Sequence, residues 1–409
     1  MTKIKDLLVV YPFGDALDPK GSGGQNRVFN LATQLNKNNN ITIFEPDCFL
    51  SDNGKCPQIK AIGFRWYIPP FLTDFNISFH LNLYRILKKE KIDLIHIAFP
   101  AGIISAKFIS KLLRLNVPVV YDAQSVAGII VKNTTNPILP FYKRIGGLFY
   151  IPFLERLAVK FANHVISVSR EDRDLFIKKY NVNPVKISVI PSGTNILSPD
   201  SLKEKNRARK EFGFAPEDII IIFHGIYTYL PNKEAIDLIT SYIAPEIKKL
   251  YHNVRFIIAG KDVPNIEKGN VKYIGFVNDL HSLLSASNIA IVPLLRGGGT
   301  KMKILDYLSI GLPIVTTKKG IEGIEAEDGE HVIIVDAVNK EFVEAIEHLI
   351  ENEGESKRLG RNARMLAEKE YDWDKSGKLL NRLYSNLINK RDKSKRSEIT
   401  IDISSTRAM

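Results

Sequence analysis

The chain has 409 residues, of which 44% are hydrophobic and 25% charged, and a formal net charge of +12. That length exceeds one ordinary core, so two domains are expected, and no run approaches the ~18 to 20 apolar residues needed to cross a bilayer. Cys48 and Cys56 are the only cysteines, which excludes a disulfide framework or a four-thiolate zinc site and points to a reducing cytoplasm.

The start, MTKIKDLLVVYPFG, is broken by Pro12 and Gly14 too early for a signal peptide and reads as a first strand. The helical pattern QNRVFNLATQLNKN follows, then the strand-like ITIFEP, the helical SFHLNLYRILKKEK, and three further apolar runs, IDLIHIAF, VPVVYDAQ and HVISVSR. A polar stretch rich in Ser, Pro and Gly, PSGTNILSPDSLKEKNRARKEFGFAPED, reads as an interdomain connection. A second set of apolar runs comes next: IIIIFHGIY, VRFIIAG, VKYIGFV, NIAIVPLL, LPIVTTK and EHVIIVD. Runs that are apolar throughout, alternating with amphipathic stretches, predict βαβ units with both sheet faces covered. The fold class is therefore α/β, two doubly wound domains facing a cleft. The divisions are an N-terminal domain 1–195, a linker 196–215, a C-terminal domain 216–372, a helix 373–392 crossing back to the first domain, and a tail 393–409. The tail is basic and reads as a disordered end. The positive charge points to anionic partners, but no aromatic-interleaved basic stripe or zinc finger appears, so nucleic acid is not expected as a partner.

In open α/β sheets, ligands bind beyond the carboxyl ends of strands. The residues there are Gly14 onward, Asp122 and Gln124, Ser169, His224 with Gly225, and the stretch RGGGTKMKILDYLSIGLPIV at 296–315. Gly297, Gly298 and Gly299 permit a tight turn and close backbone approach to a ligand. Thr300 is expected to open a helix and cap it, making an anion site to which Lys301 and Lys303 add two cations. Asp306 lies one turn beyond Lys303, placed to accept from ribose hydroxyls, unless the two form a plain surface pair. Leu305 and Leu308, with Met302, form the buried face, and Gly311 ends the helix.

That stretch resembles the signature of the retaining GT-B glycosyltransferases of the large family four, "group 1", where LDYLSIGLPIV parallels LEAMAxGxPVV. GSGGQNRVFNLA (21–32), VVYDAQSVAG (119–128), FLERLAVKFANHVISVSREDRDLF (153–176), VKISVIPSGTN (185–195), FHGIYTYLPNKEAI (223–236) and VKYIGFVNDLHSLLSASNIAIVPL (271–294) follow the family order. The resemblance implies Rossmann-like domains, a nucleotide-diphosphate-sugar donor as substrate on the C-terminal domain, and a glycan or lipid-linked acceptor on the N-terminal one. It also implies retention of configuration, no metal and no separate cofactor. By the same resemblance Gly23 and Gly24 lie near the donor phosphates. Gly299, Thr300 and Lys301 contact phosphate from the helix start, Asp306 holds the ribose, and Phe276 and Val277 meet the base. Glu155 falls at a structural position.

Three positions depart from the pattern. Gly298 stands where the first acid of E-x7-E belongs, leaving backbone N–H groups to hold the sugar. Tyr227 and Asn232 stand in place of the usual Arg and Lys, so Arg296, Lys301 or Lys303 supplies that charge. Gln124 replaces a His. Lys303 and Lys301 are the candidate catalytic cations, stabilising the leaving diphosphate. Asp122 is an acceptor-side candidate or a helix cap, His224 a donor contact, and His96 a satisfied strand-end histidine. Asp372 and Asp374 are expected to cap the last helix rather than bind metal.

The segment 136–160 mixes aromatic residues with Lys143, Arg144 and Arg156, and reads either as a contact with an anionic membrane surface or as a core helix with a lid loop. The expected location is cytoplasmic, peripheral at the inner membrane face. Competing assignments are a non-catalytic nucleotide-sugar-binding subunit and a sugar-nucleotide 2-epimerase. A Rossmann oxidoreductase is disfavoured because no G-x-G-x-x-G follows the first strand.

Overall fold

The structure is a computed structural model that describes residues 5–18, 21–52, 58–128, 141–196 and 201–406. The chain divides into two compact units. Residues up to Gly128, residues 141–191 and the segment from Trp373 onward form the first unit, and Ser192–Asp372 form the second.

The sheet of the first unit contains β1 (Asp6–Val10), β2 (Asn40–Pro46), β3 (Lys60–Phe64), β4 (Leu94–Ile97), β5 (Val119–Ala123), β6 (His164–Ser167) and β7 (Ile187–Val189). Their spatial order is β3-β2-β1-β4-β5-β6-β7, with every pair parallel. Leu7 to Val10 and Leu94 to Ile97 are buried, because helices cover both faces of the sheet.

The second sheet contains β8 (Ile219–His224), β9 (Val254–Ala259), β10 (Asn265–Lys268), β11 (Val271–Ile274), β12 (Ile289–Val292), β13 (Ile314–Thr317) and β14 (Ile333–Val335). Its order is β10-β11-β9-β8-β12-β13-β14. Each sheet therefore reverses winding direction next to its first strand, between β1 and β4 and between β8 and β12. Those reversals open a crevice at the strands' carboxyl ends. In the second unit that places the residues after His224 beside the glycine stretch after β12.

Three strands were not among the expected apolar runs. β10, NIEK, is wholly exposed and pairs antiparallel with β11, so the second sheet is not purely parallel. A short hairpin edge of this kind carries no apolar signal in sequence. β3 is only half-buried and β7 spans three residues, which hides both from a search for apolar runs.

The stretch expected as a linker folds into the second unit. Helix Ser201–Glu211 carries Arg209, which is buried and donates to the carbonyls of Ala286, Ala215 and Asp218. The last helix, Trp373–Thr406, packs on helix Gly23–Asn36 of the first unit, where a Cβ at Gly377 would stand 2.5 Å from that of Gln34. Ser376 donates to the Pro191 carbonyl at 2.9 Å and Lys5 to Ser385 at 2.6 Å. The helix continues through residues 393–406, where the composition reads as a disordered end; no Gly or Pro interrupts that stretch. Asp374 lies in the first turn and pairs with Lys378 at 2.6 Å, as an acid near a helix N-terminus should.

Candidate functional site

In the second unit, helix Met302–Ile310 begins two residues later than expected. Thr300 is not its cap: the capping position is Lys301, no side chain caps the first turn, and the Thr300 hydroxyl donates to the Gly323 carbonyl at 3.5 Å. Gly297 and Gly299, at φ 125° and 66°, carry the loop that far, in backbone conformations that L side chains rarely adopt. Gly311, at φ 76°, ends the helix as expected. The helix start thus keeps its N–H groups free of side-chain caps beside two lysines, an arrangement suited to an anion.

The two lysines differ in their partners. Lys301 pairs with Glu322 at 3.0 Å, and Glu322 also takes Lys319 at 2.8 Å. Burial alone would raise the Glu322 pKa, but the Lys301 charge and both lysine hydrogen bonds outweigh it and hold the carboxyl below its usual range. Lys303 is buried under the end of β8. Its Nζ donates to Asn232 Oδ1 at 2.7 Å and stands 3.8 Å from the Phe223 ring centroid. Among the described residues no carboxylate lies within ion-pair distance of it. Burial, reinforced by the Lys301 charge, pushes the Lys303 pKa well below the ordinary lysine value. The alternative of a surface Lys303–Asp306 pair is not what forms.

Asp306 is instead held by its own partners. Thr194 donates to Oδ1 at 3.1 Å and His224 Nε2 stands 3.4 Å from Oδ2. His224 Nδ1 and the His224 backbone N–H each lie 3.0 Å from the Tyr307 hydroxyl. These contacts are satisfied together by one proton arrangement: His224 neutral with its proton on Nε2 toward Asp306, and Tyr307 donating to Nδ1 while accepting from the backbone. Burial lowers the His224 pKa against the opposing effect of Asp306, which agrees with a neutral ring. Each Asp306 oxygen can still accept from a ligand hydroxyl.

Gly225 completes the floor. Its N–H donates to the Ala259 carbonyl at 2.9 Å, and a Cβ there would lie 2.9 Å from Lys303 Nζ and 2.7 Å from Asn232 Nδ2. Gly260 N–H donates to Gly275 at 2.8 Å, linking this floor to the loop of Phe276 and Val277, the first exposed and the second half-buried. Arg296 is half-exposed and paired with Glu234 at 2.8 Å. Gly298 is half-buried, with no side chain to offer a ligand.

We expect Gly225→Ala to weaken nucleotide binding about tenfold, because the added methyl must displace the Lys303 ammonium or Asn232. Calorimetric titration of the variant with nucleoside diphosphates checks this; unchanged affinity would show that no ligand group approaches Lys303 from that side.

The first unit holds the remaining candidates. Asp122 caps no helix and does not face solvent. It lies within β5, fully buried, and both its oxygens are taken by Arg27, Nε to Oδ2 at 2.9 Å and Nη2 to Oδ1 at 2.8 Å. Burial would raise its pKa, but the Arg27 charge and hydrogen bonds hold it below the usual carboxylate value. His96 stands 3.6 Å from Asp122 and bonds the Tyr384 hydroxyl, a satisfied histidine kept neutral by burial.

Gly23 and Gly24 begin their helix, whose Gln25 accepts from Ser22 N–H at 2.7 Å. A Cβ at Gly24 would lie 2.3 Å from Gln124 Oε1, and Gln124 donates to the Gly24 carbonyl at 3.3 Å. The residue in the unusual position thus rests on the glycine turn. Glu155 is buried and accepts from Tyr180, Tyr121 and the Ala127 N–H, a structural role.

The structure therefore gathers His224, Gly225, Lys303 and Asp306 at one place and leaves Gly23, Gly24 and Asp122 in the other unit. Sequence reasoning missed Thr194, Phe223, Tyr307 and Glu322. Tyr307 lies next to Asp306, Phe223 next to His224, and Thr194 within the stretch VKISVIPSGTN, so each had a positional clue; Glu322 had none.

Two doubly wound units, one with an anion-suited helix start at its topological switch point, define a doubly wound α/β protein with a candidate anion site. Comparison with known families narrows this. Residues 21–196 match the family Glycosyltransferase Family 4 and residues 218–352 match Glycosyl transferases group 1. The chain belongs to the family-four, group 1 glycosyltransferases, of GT-B fold.

Among curated relatives it is 27% identical over 259 residues to UDP-Gal:alpha-D-GlcNAc-diphosphoundecaprenol alpha-1,3-galactosyltransferase of Escherichia coli. That match covers 58% of this chain and 60% of the relative. Among solved structures, sucrose-phosphate synthase from Thermosynechococcus elongatus superposes with TM-score 0.73 at 15% identity, covering 94% of this chain and all of that one. Anabaena HepE, solved with UDP and glucose, superposes with TM-score 0.67 at 16% identity, over 93% and 99% of the two chains.

Proposed function

We propose that this glycosyltransferase moves a hexosyl group from a UDP-sugar to a lipid-linked glycan acceptor, with retention of configuration and without a metal. The observation that carries the reading is Lys303, buried with no carboxylate within ion-pair distance among the described residues and lying beside an uncapped helix start. A lone buried charge is costly, and a diphosphate supplies the missing counter-charge. The choice of UDP draws on the relatives, one acting on UDP-Gal and one solved with UDP. The lipid-linked acceptor draws on the diphosphoundecaprenol substrate of the first.

In this reading the diphosphate sits at the helix start with Lys303 Nζ on its oxygens, and Asp306, aligned by Thr194 and His224, accepts from the ribose hydroxyls. The bond from the sugar's anomeric carbon to the β-phosphate oxygen breaks while the acceptor oxygen bonds the same carbon from the same face. The acceptor's proton passes to the departing phosphate oxygen, and UDP leaves. Lys303 and the helix-start N–H groups stabilise the negative charge as it develops. Glu322 pairs with Lys301, whereas Lys303 has no carboxylate partner among the described residues.

A thermal-shift panel with UDP, GDP, ADP and dTDP in the presence of EDTA tests the donor. UDP alone is expected to stabilise, by about 2.7 kcal/mol at a hundredfold excess over Kd. Asp306→Ala should weaken UDP by at least about tenfold through the lost charged hydrogen bonds. No shift with any nucleotide would contradict the donor assignment. UDP binding without sugar transfer to any lipid-linked acceptor would favour a non-catalytic binding subunit, which the missing acid at Gly298 also suits.

A further inference from the structure

We propose that Tyr229 is the residue that recognises the transferred sugar: its hydroxyl bonds a sugar hydroxyl and its ring supports the sugar's C–H face, over the glycine loop 297–299. This role rests on the donor reading above and adds to it the place of the sugar itself.

The order of the donor's parts along helix Met302–Ile310 sets that place. Asp306, the ribose ligand, lies one turn beyond the helix start, about 6 Å at roughly 1.5 Å per residue. That is close to the span from a ribose to its diphosphate, so a ribose at Asp306 puts the diphosphate at residues 301–303. A sugar joined to the far phosphate then projects past the helix start, over Gly297, Gly298 and Gly299. Those glycines offer backbone groups but no side chain.

Tyr229 supplies the side chain. It occupies the position before helix Leu230–Leu238, and its carbonyl accepts from the N–H groups of Asn232 at 2.9 Å and Lys233 at 3.0 Å, which fixes its backbone. Asn232, on the first turn of that helix, is the residue that holds Lys303. The Tyr229 hydroxyl lies beside the glycine loop: a Cβ at Gly297 would stand 3.9 Å from it and 3.9 Å from Pro231, with no atom nearer apart from its chain neighbours. Arg296, which opens the loop, pairs with Glu234 on the same helix at 2.8 Å. That surface pair adds little stability, but it ties the loop to the helix, so the space between Tyr229 and the glycines is set before a ligand arrives.

The chemistry suits a sugar. Tyr229 is 41% exposed, and its hydroxyl makes no hydrogen bond among the described residues. Burial raises its pKa, so the hydroxyl keeps the proton it would donate. A sugar presents both hydroxyl groups and patches of C–H, and an aromatic ring with a polar tip answers both. The residues expected at the base, Phe276 and Val277, follow β11, two strands from β8 on the side away from β12. The base and sugar ends of the donor therefore fall on opposite sides of β8. None of these contacts involves the segment read from sequence as a membrane contact or lid loop, of which residues 136–140 and the side chains of Lys143 and Arg144 lie outside the described residues.

Calorimetric titration of wild type, Tyr229→Phe and Tyr229→Ala with UDP, UDP-galactose, UDP-glucose and UDP-N-acetylglucosamine tests the role. UDP lacks the sugar, so its affinity should stay within about twofold in both variants, which also shows that they fold. The UDP-sugar that the wild type prefers should bind about five- to tenfold more weakly to Tyr229→Phe, the loss of one hydrogen bond, and roughly threefold more weakly again to Tyr229→Ala. The preference among the three sugars should narrow in Tyr229→Phe, because a pocket without a polar partner discriminates a hydroxyl poorly. Unchanged UDP-sugar affinity in both variants would overturn the role of Tyr229 and leave the donor reading intact. An equal loss for UDP and the UDP-sugars would put Tyr229 against the diphosphate and overturn it as a sugar contact. Wild-type protein that binds neither UDP nor any UDP-sugar would overturn the donor reading, and the role of Tyr229 with it.

Discussion

Lys303→Ala is expected to lower kcat by about 10²- to 10³-fold, the range found when one positioned donor is removed from a developing anion. The lysine has no competing structural duty. Its hydrogen bond to Asn232 and its contact with Phe223 hold it in place, but nothing described neutralises it. Removing it should therefore not damage the fold. The uncharged Lys303→Met variant should be as stable as wild type or more stable, by on the order of 1 kcal/mol after the lost Asn232 hydrogen bond is counted. The same linkage gives a sign with pH. Burial lowers the Lys303 pKa below 10.5, so between the two values the unfolded chain binds the extra proton and folded stability rises with pH. Below that window the buried ammonium is charged in both states and its penalty is fully present. Lys301→Ala should cost less than Lys303→Ala, since Lys301 is already paired with Glu322. Wild-type turnover in Lys303→Ala, measured with donor and acceptor saturating, would contradict the assignment.

Arg27→Met is expected to have the largest effect on stability, about 3–5 kcal/mol, because it leaves Asp122 ionised in the core without its counter-charge. Arg27 is 1% exposed and Asp122 is fully buried. The arginine also donates to the Ile190 carbonyl at 2.9 Å, so the substitution strands two acceptors. The double variant Arg27→Met, Asp122→Leu should recover most of the loss, since a buried pair replaced by apolar side chains is close to neutral. The Asp122 carboxyl, held below its usual value, contributes stability above the unfolded carboxylate pKa. That contribution is lost as pH falls through its folded value. Urea denaturation of the single and double variants measures the coupling; a single-variant loss below about 1 kcal/mol would show that the pair is not integral to the first unit.

The sequence disclosed the architecture because parallel strands covered on both faces appear as uninterrupted apolar runs such as IIIIF and VPVVY. It did not disclose β10, whose residues are all exposed, or helix Ser201–Glu211, whose polar composition imitates a linker. At the candidate site, Lys303 and Asp306 stood out because they lie one turn apart on the helix that follows a strand and three consecutive glycines. Their partners were not. Thr194 lies 112 positions from Asp306 and Asn232 lies 71 from Lys303, and no local spacing connects them. The Asp122 misreading has the same origin: a carboxylate near a strand end resembles a helix cap until Arg27, 95 positions away, is seen to bind it.

The central claim, that the buried Lys303 ammonium anchors the donor's diphosphate, is tested most directly by proton uptake on UDP binding. Calorimetric titrations at an alkaline pH below the ordinary lysine value, in buffers of different ionisation enthalpy, measure it. Wild-type protein should take up protons as the diphosphate restores the charge on a lysine whose pKa burial has lowered, and Lys303→Met should take up none. Equal proton uptake by both proteins, or UDP binding that is unchanged in Lys303→Met, would contradict the account.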